Sequence, residues 1–263
     1  MHVRIYPGFD LLGAPVVVAV CATATALEAQ MPLRPRTATR RSRWPGNLLA
    51  GAIAAIVVRA GVVPAVQACA RVAARRRFGL LRWVPMPRLA RVGLGILALD
   101  YTMYLWHRAL HGVSPLWRFH AVHHADADLD ATTALRFHAG ELLASVPYRC
   151  AQVLGTGVSP SVAILYEVMM QSAALFHHSN LRLPGGVDRA LSLVVVTPRM
   201  HGVHHSVETR ELQSNWSVVF SFWDRLHGTF RERKVQPRIG LAPENTPRAL
   251  AATGHVARRS DRA

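Results

Sequence analysis

The apolar stretch LARVGLGILALDYTMYLW, residues 89–106, runs directly into HRALHGVSPLWRFHAVHH, residues 107–124. The first stretch is long enough to cross a bilayer as a helix, which takes about 17 to 25 residues. The second contains five histidines, and a shorter run, HGVHH at residues 201–205, repeats part of its pattern. This arrangement predicts an apolar helix that ends in a cluster of imidazoles.

The composition favours a membrane protein. Of the 263 residues, 51% are hydrophobic and 17% are charged, whereas about 25% of residues are charged in ordinary soluble proteins. The net charge is +16, and Lys234 is the one lysine among 31 basic residues. Because the arginines flank apolar blocks, they suit anionic lipid headgroups better than nucleic acid, which needs a basic face on a soluble fold. We therefore expect a membrane environment and no nucleic-acid partner.

The three cysteines, Cys21, Cys69 and Cys150, are far apart and lie in apolar segments. Without CxxC spacing they favour neither a thiolate zinc site nor an iron–sulfur cluster, and we expect them to pack as small hydrophobic residues. The N-terminus lacks a convincing secretory signal, so its apolar run is interpreted as a retained membrane helix.

Five apolar segments are predicted to be helical, at residues 11–27, 47–70, 89–106, 141–157 and 161–176. Arg59 and Pro64 lie inside the second, which is therefore expected to be kinked, tilted or only partly inserted. The turn sequence GTGVSP makes the last two segments a helical hairpin. The predicted fold is an all-α integral membrane protein, a bundle of about four to five membrane helices with a cytosolic histidine-rich cap.

The chain divides into three predicted regions. Residues 1–88 hold the N-terminal membrane helices and basic loops, and residues 89–235 hold a catalytic domain that contains most of the histidines. Residues 236–263, rich in Arg, Ala and Pro at their end, are expected to form a flexible tail.

The histidine spacing predicts a site for two metal ions. Residues three or four apart share a helix face. One HxxxH and two HxxHH motifs therefore present eight imidazoles together: His107, His111, His120, His123, His124, His201, His204 and His205. Eight nitrogens exceed the roughly four ligands of one zinc site. Imidazole binds iron, copper, nickel and zinc alike, so the spacing does not choose the metal.

Other residues are candidates for completing this site. His138 and His178 could enlarge the ligand set, and His177 competes with His178 for that role. Metal-bound imidazoles usually donate their second N–H to a carboxylate or carbonyl. The acidic candidates for this role, each of which could instead pair with an arginine or cap a helix, are Asp100, Glu141, Glu167, Asp188, Glu208 and Asp224.

The motifs resemble the fatty acid hydroxylase and sterol desaturase superfamily of membrane di-iron oxygenases. The matching stretches, in the family's order, are DYTMYLWHRALH, LWRFHAVHHAD, RFHAGE, FHHSN, TPRMHGVHHS and NWSVVFSFWDRLHGTF. The resemblance carries the ligand role to the eight histidines, and to His138 and His178. It also places Asn180 and Asn215, with Asp100, Glu141 and Asp224, among the residues that could orient the ligands. Ala139 and the Trp216–Ser217 pair depart from the usual pattern.

The resemblance implies an oxidoreductase that uses two iron ions, O₂ and external electrons to hydroxylate or desaturate a C–H bond of a lipid, a fatty acyl or sterol compound. Zinc would replace iron only by mis-metallation. Because the chain has no haem, ferredoxin or flavin motif, a separate donor protein, cytochrome b5-like or ferredoxin-like, is expected. The expected location is a bacterial inner membrane with the site on the cytoplasmic side.

Two alternatives remain open from the sequence. A carotenoid hydroxylase would share this histidine layout. A non-enzymatic membrane protein that binds or transports metal would also use histidines, but it would be expected to place them along a path through the bilayer.

Overall fold

The computed structural model describes residues 8–248, and within that range the regular elements are all helical. His2, His255 and residues 249–263 of the predicted tail lie outside the described residues. The α-helices are α1 (Ala14–Gln30), α2 (Arg40–Val57), α3 (Val63–Arg76), α4 (Leu80–Trp83), α5 (Arg88–Gly112), α6 (Ser114–His124), α7 (Ala139–Thr156), α8 (Pro160–His178), α9 (Gly185–Leu191), α10 (Pro198–His204), α11 (Thr209–Leu212) and α12 (Phe222–Leu226).

Two helical segments in the described part of the chain are long and apolar enough to cross a membrane. They are Gly8–Gln30, with a mean hydropathy of 1.8, and Arg40–Trp83, with a mean hydropathy of 2.1. The three other long helices, α5, α7 and α8, interrupt their apolar surfaces with charged residues such as Asp100 and Glu167. The all-helical architecture is therefore observed. Length and apolar character identify two candidate membrane segments, so the predicted number of four to five membrane helices is not confirmed.

A π-helical turn, Val58–Val62, joins α2 to α3 where the sequence predicts a kink. Pro64 occupies the first turn of α3, where its missing N–H is tolerated. Arg59 in this turn forms a two-pronged ion pair with Asp10, which lies in a second π-helical turn, Gly8–Gly13. The arginine that is costly inside an apolar segment is thus paired.

The long helices pack as a bundle around one apolar core. α1 lies against α8, and α3 lies against α7. Val62, Leu99, Val153 and Tyr166 are among the buried residues of this core. Gly157 follows the end of α7 with a φ of +73°, which is costly for a residue with a Cβ, and α8 begins three residues later at Pro160, so the two helices form a hairpin.

Four helices carry the histidine motifs to one end of the bundle. α5 continues beyond Trp106 to Gly112, and α6 follows after a single residue, Val113. α8 ends at its two histidines, and α10 is a short helix whose first turn is capped by Thr197. The motifs are therefore helical, as their spacing predicts.

Part of the predicted flexible tail packs against this histidine end. Residues 236–248 fall within the described range, and Leu241 in them is buried. The Gly240 N–H donates to the carbonyl of His205, and the Trp117 indole N–H donates to the carbonyl of Asn245. These contacts hold the segment over α6 and α10, so the ordered structure extends beyond residue 235.

Candidate metal centre

Nine buried histidines form two adjacent groups whose ligand nitrogens lie within 4.8 Å of one another in each group. We call them the five-histidine cluster and the four-histidine cluster. The five-histidine cluster consists of His107, His111, His120, His124 and His204. The four-histidine cluster consists of His123, His178, His201 and His205.

The two clusters share the helices that build them. α6 contributes His120 and His124 to the five-histidine cluster and His123 to the other. α10 and the residue that follows it contribute His204 to the first and His201 with His205 to the second. An HxxHH motif thus serves both clusters, because its adjacent histidines point in different directions around a helix. All eight histidines of the three motifs are brought together.

The structure also separates the other candidate histidines. His178 belongs to the four-histidine cluster, with its Nε2 2.9 Å from Nε2 of His123. The ring of His177 lies 4.0 Å from that of His201, beside the cluster but outside it. His138 is exposed, stacks on Phe119, and accepts a hydrogen bond from the Gly140 N–H at the start of α7. The structure does not bring His138 to the other histidines.

Backbone carbonyls fix the ring orientation of three cluster members. Nδ1 of His107 lies 2.8 Å from the Trp216 carbonyl, and Nδ1 of His204 lies 2.7 Å from the Ser214 carbonyl. Nδ1 of His178 lies 2.7 Å from the carbonyl of Ala174 in its own helix. Because a carbonyl only accepts hydrogen bonds, each Nδ1 carries the proton and each Nε2 keeps its lone pair for a metal.

Of the predicted carboxylates, Glu141 touches a cluster histidine directly. Both of its oxygens lie 3.2 Å from Nδ1 of His120, and the side chains of both residues are almost fully buried. A carboxylate in this position holds the Nδ1 proton and makes the ring a stronger ligand.

Asp224 and Asp100 act on the loop 213–221 rather than on the histidines themselves. Asp224 accepts hydrogen bonds from the backbone N–H groups of Trp216 and Ser217, at 2.9 Å each. Asp100 accepts from the N–H groups of Val219 and Phe220, and from Tyr166 and Trp223 side chains. Together they fix the loop whose carbonyls orient His107 and His204.

The two predicted asparagines also position backbone. Asn215 has a φ of +53°, which Asn tolerates, and its amide donates to the carbonyls of Met200 and Arg231. Asn180 exchanges hydrogen bonds with the backbone of Arg34. Glu28, buried at the end of α1, accepts from the Asn180 N–H at 2.8 Å and so helps to anchor the chain just after His178.

Two of the remaining acidic candidates are paired with arginines. Glu167 is paired with Arg149, and Asp188 is paired with Arg199 at 2.9 Å. Glu208 precedes α11. The carbonyls of Trp216 and Ser214, which orient two of the cluster histidines, were not predicted from the sequence. Every residue type has a backbone carbonyl, so the sequence gives no sign of one that accepts a hydrogen bond.

An apolar cavity of about 640 Å³ extends from the histidines between the long helices. Six histidines line it: His107, His120, His123, His177, His178 and His201. Its walls come mainly from α1, α2, α5, α7 and α8, and consist mainly of aliphatic and aromatic side chains such as Leu142, Met170 and Trp106. The cavity can accept a long apolar molecule with one part against the clusters.

The donor set fits metal ions. Several buried ring nitrogens have no hydrogen-bond partner within the described structure, including both nitrogens of His111 and Nε2 of His204. Buried polar atoms in proteins seldom lack a hydrogen-bond partner, so these nitrogens are suited to bind a metal. Burial, and then the neighbouring histidines, hold the pKa of His124 and His205 well below its usual range. These imidazoles are neutral at pH 7, which is the form that binds a metal.

The sequence is similar to those of known proteins. The family model described as fatty acid hydroxylase matches residues 92–229. Ornithine lipid hydroxylase OlsE of Rhizobium tropici is 30% identical over 172 residues, which is 65% of this chain and 48% of that protein. Alkylglycerol monooxygenase of Caenorhabditis elegans is 33% identical over 152 residues, 56% of this chain and 29% of that protein.

Cholesterol 25-hydroxylase of Homo sapiens is 26% identical over 146 residues, 54% of this chain and 52% of that protein. The chain therefore spans about half, or less, of the length of these curated relatives. No solved structure matches the chain significantly.

Proposed function

This chain belongs to the fatty acid hydroxylase family, and from that premise we propose that it is a membrane oxygenase that hydroxylates a C–H bond of a lipid. The reaction consumes O₂ and electrons from a separate donor protein. The observation that carries the proposal is the pair of adjacent histidine clusters, members of which line an apolar cavity. A metal store would need the histidines but not the cavity.

We assign two iron ions to the two clusters, one to each. Five and four imidazoles, with few carboxylates, form a donor set that binds iron, and such a set would also take zinc. When bound, the metals supply the activation of O₂ that side chains lack. This assignment gives the ligand role to the nine clustered histidines and not to His138, which is exposed and lies outside both clusters.

The chain's own residues hold the substrate and the ligands. The cavity walls orient the alkyl chain so that one carbon lies against the histidine end, and they keep water away from it. Glu141 and the carbonyls of Trp216 and Ser214 keep the Nδ1 protons of their histidines in place. These hydrogen bonds behind the histidines prevent the imidazole rings from turning when substrate enters.

Hydroxylation is favoured over desaturation because the relatives reported above are named hydroxylases and monooxygenases. The substrates in those names are an ornithine lipid, alkylglycerols and cholesterol, so a lipid is their shared chemistry. This argument also favours a lipid over a carotenoid and an enzyme over a transporter. A transporter would also be expected to place its histidines along a path, whereas here they converge at one end of a bundle.

We further propose that the long helices form the membrane bundle, with the histidine end at the cytoplasmic side of a bacterial inner membrane. The loop between α1 and α2 is rich in arginine, and arginine-rich loops are usually cytoplasmic. This loop lies beside the histidine end, because its Thr37 donates hydrogen bonds to Asp128. Reporter fusions after α1 and after α4 test the orientation. A periplasmic signal from the first fusion would contradict it.

The function is tested by metal analysis and oxygen uptake on the purified protein, together with lipid profiles of host cells with and without the gene. We expect about two irons per chain, O₂ consumption that requires a reductant, and one lipid that loses a hydroxyl group when the gene is deleted. A protein that holds zinc after growth and reconstitution with iron, and that consumes no O₂ with any lipid extract, would contradict the proposal.

A further inference from the structure

Two ion pairs line the apolar cavity in addition to the histidines. Arg149 of α7 is paired with Glu167 of α8, and Arg59 is paired with Asp10 of the π-helical turn before α1. With Gln171, which also lines the cavity, we call these residues the polar layer. It brings four formal charges, from four separate elements, to a cavity whose walls are otherwise mainly apolar.

The contacts of Arg149 leave hydrogen-bonding capacity for a ligand. Its Nη2 donates to Oε2 of Glu167, and Nε2 of Gln171 donates to Oε1 of the same carboxylate at 2.7 Å. Within the described residues, the bond from Nη2 to Glu167 is the one hydrogen bond that the Arg149 side chain makes. A guanidinium has five N–H donors. The Gln171 carbonyl oxygen accepts no hydrogen bond there either. A donor and an acceptor thus remain side by side on the cavity wall.

A purely structural role does not explain this arrangement well. Replacing a buried ion pair with apolar residues of similar size is often neutral or stabilising, so such pairs are poor devices for stability alone. Ionisable residues inside membrane bundles commonly mark substrate paths. In addition, Asp10 and Arg59 both lie on π-helical turns, an uncommon geometry that is frequent at functional sites.

We propose that the polar layer binds a neutral hydrogen-bonding group of the substrate, a hydroxyl or an amide, within an otherwise hydrocarbon lipid. Two arginines and two carboxylates cancel in formal charge, so the layer favours a group that both donates and accepts over an anion or a cation. The inference rests on the proposed function, because it specifies the substrate class of the same site.

The distance between the layer and the histidines then selects the reacting carbon. Arg149 follows Glu141, the partner of His120, by eight residues, or about 12 Å along an α-helix. Glu167 precedes His178 by eleven residues, or about 16 Å. A lipid anchored at the layer therefore presents a carbon about 12 to 16 Å from its polar group, so the new hydroxyl lies far from that group.

The test is equilibrium binding of matched C18 probes to the full chain, loaded with iron and held in detergent micelles. Octadecan-1-ol and octadecanamide are compared with octadecane by displacement of radiolabelled octadecan-1-ol. We expect the alcohol and the amide to bind at least about 10-fold more tightly than the hydrocarbon, since a site built for hydrogen bonding discriminates against an analogue that lacks the group.

The decisive variant is Arg149→Met combined with Glu167→Met, because removing one partner alone would leave an unpaired buried charge. We expect the preference for the alcohol to fall to about 2-fold or less, with iron content unchanged. Arg233→Met is the matched control, since it removes the partly exposed ion pair with Glu211, whose residues do not line the cavity, and it should keep the full preference. Gln171→Leu keeps the ion pair, and it should reduce the preference for the amide even if the double variant fails to fold.

Equal binding of alcohol and hydrocarbon to the unaltered protein would overturn the inference. So would a full preference that persists in both the double variant and Gln171→Leu. Failure of the proposed function has a different signature, since it would appear as absent iron or absent oxygen uptake while the binding preference for the alcohol remained.

Discussion

His124 and His205 lie face to face, with ring centroids 4.2 Å apart and an angle of 16° between the ring planes. The first belongs to the five-histidine cluster and the second to the four-histidine cluster, and they come from segments far apart in the chain. This contact joins the two clusters, so a metal bound in one would be held by residues that also shape the other. Removing a ligand from either cluster should therefore weaken both.

His123→Ala and His204→Ala, one change in each cluster, should each reduce turnover by at least about 100-fold, above the 10- to 100-fold effect typical of residues that merely orient a ligand. Iron content should also fall below one ion per chain in each variant, because the clusters share helices. Metal analysis and oxygen uptake provide the measurement.

His138→Ala is the control for both changes. It removes the acceptor for the Gly140 N–H at the start of α7, which costs about 1 kcal/mol as a helix cap. Iron content should nevertheless stay at the unaltered value. Loss of iron in this variant, with retention in His123→Ala, would contradict the placement of the clusters.

Glu141→Gln should lower activity or metal affinity by about 10- to 100-fold, which is the usual effect of removing a carboxylate behind a ligand histidine. The amide keeps the size of the side chain but no longer holds the Nδ1 proton of His120 as strongly. A titration with a metal-binding dye measures the affinity. Glu232→Gln, a change at an exposed glutamate that lines neither the cavity nor the histidine end, should leave it unchanged, and equal effects in the two variants would count against the role of Glu141.

Asp224→Ala should destabilise the protein by about 3 kcal/mol, because the buried N–H groups of Trp216 and Ser217 lose a charged acceptor. The loop that orients His107 and His204 should also loosen, so iron should dissociate faster than from the unaltered protein. Thermal unfolding and iron release to a chelator measure the two effects. If the variant is less stable but releases iron at an unchanged rate, Asp224 does not help to hold the metal centre.

The histidine clusters were largely predictable because their signal is local. Spacings of three and four residues fix which imidazoles share a helix face, and α5, α6 and α10 have the helical form that those spacings require. The choice between His177 and His178 was not predictable, since adjacent residues at the end of α8 differ only in the direction in which they leave the helix.

Features that depend on distant packing gave no sequence signal. His138 stands in a motif that resembles the ligand motifs, yet the extended chain before α7 turns it towards Phe119. The order of residues 236–248 depends on contacts with Trp117 and His205, which composition does not reveal. The number of membrane helices is also hard to predict from the sequence. Charged residues such as Asp100 lower the apolar character of a helix, and the side chains that pair with them are brought close only by the fold.

The ion pairs of Arg43 should make stability depend on acid. Burial raises the pKa of Asp130, but the positive charge of Arg43 and the hydrogen bonds from Thr132 lower it by more than burial raises it. The pKa of Asp130 therefore lies below its usual range. The stability from this pair is present above the unfolded pKa of about 4 and is lost as the pH falls through the lower folded value.

Asp130→Asn tests this dependence by thermal unfolding from pH 7 to pH 3. The difference in melting temperature between the unaltered protein and the variant should be constant near neutrality and should shrink below about pH 4. A difference that grows in acid would reverse the sign of the expected shift.

Ala54→Phe should obstruct the cavity without disturbing the metals. Ala54 lines the cavity from α2, where a phenyl group would occupy space that a lipid chain needs. Iron content should match that of the unaltered protein, whereas KM for the native lipid should rise at least about 10-fold, because the change removes binding rather than chemistry. Ala52→Phe is the matched control on the same helix, since Ala52 is exposed and does not line the cavity. If both variants raise KM equally, the lipid does not bind in this cavity.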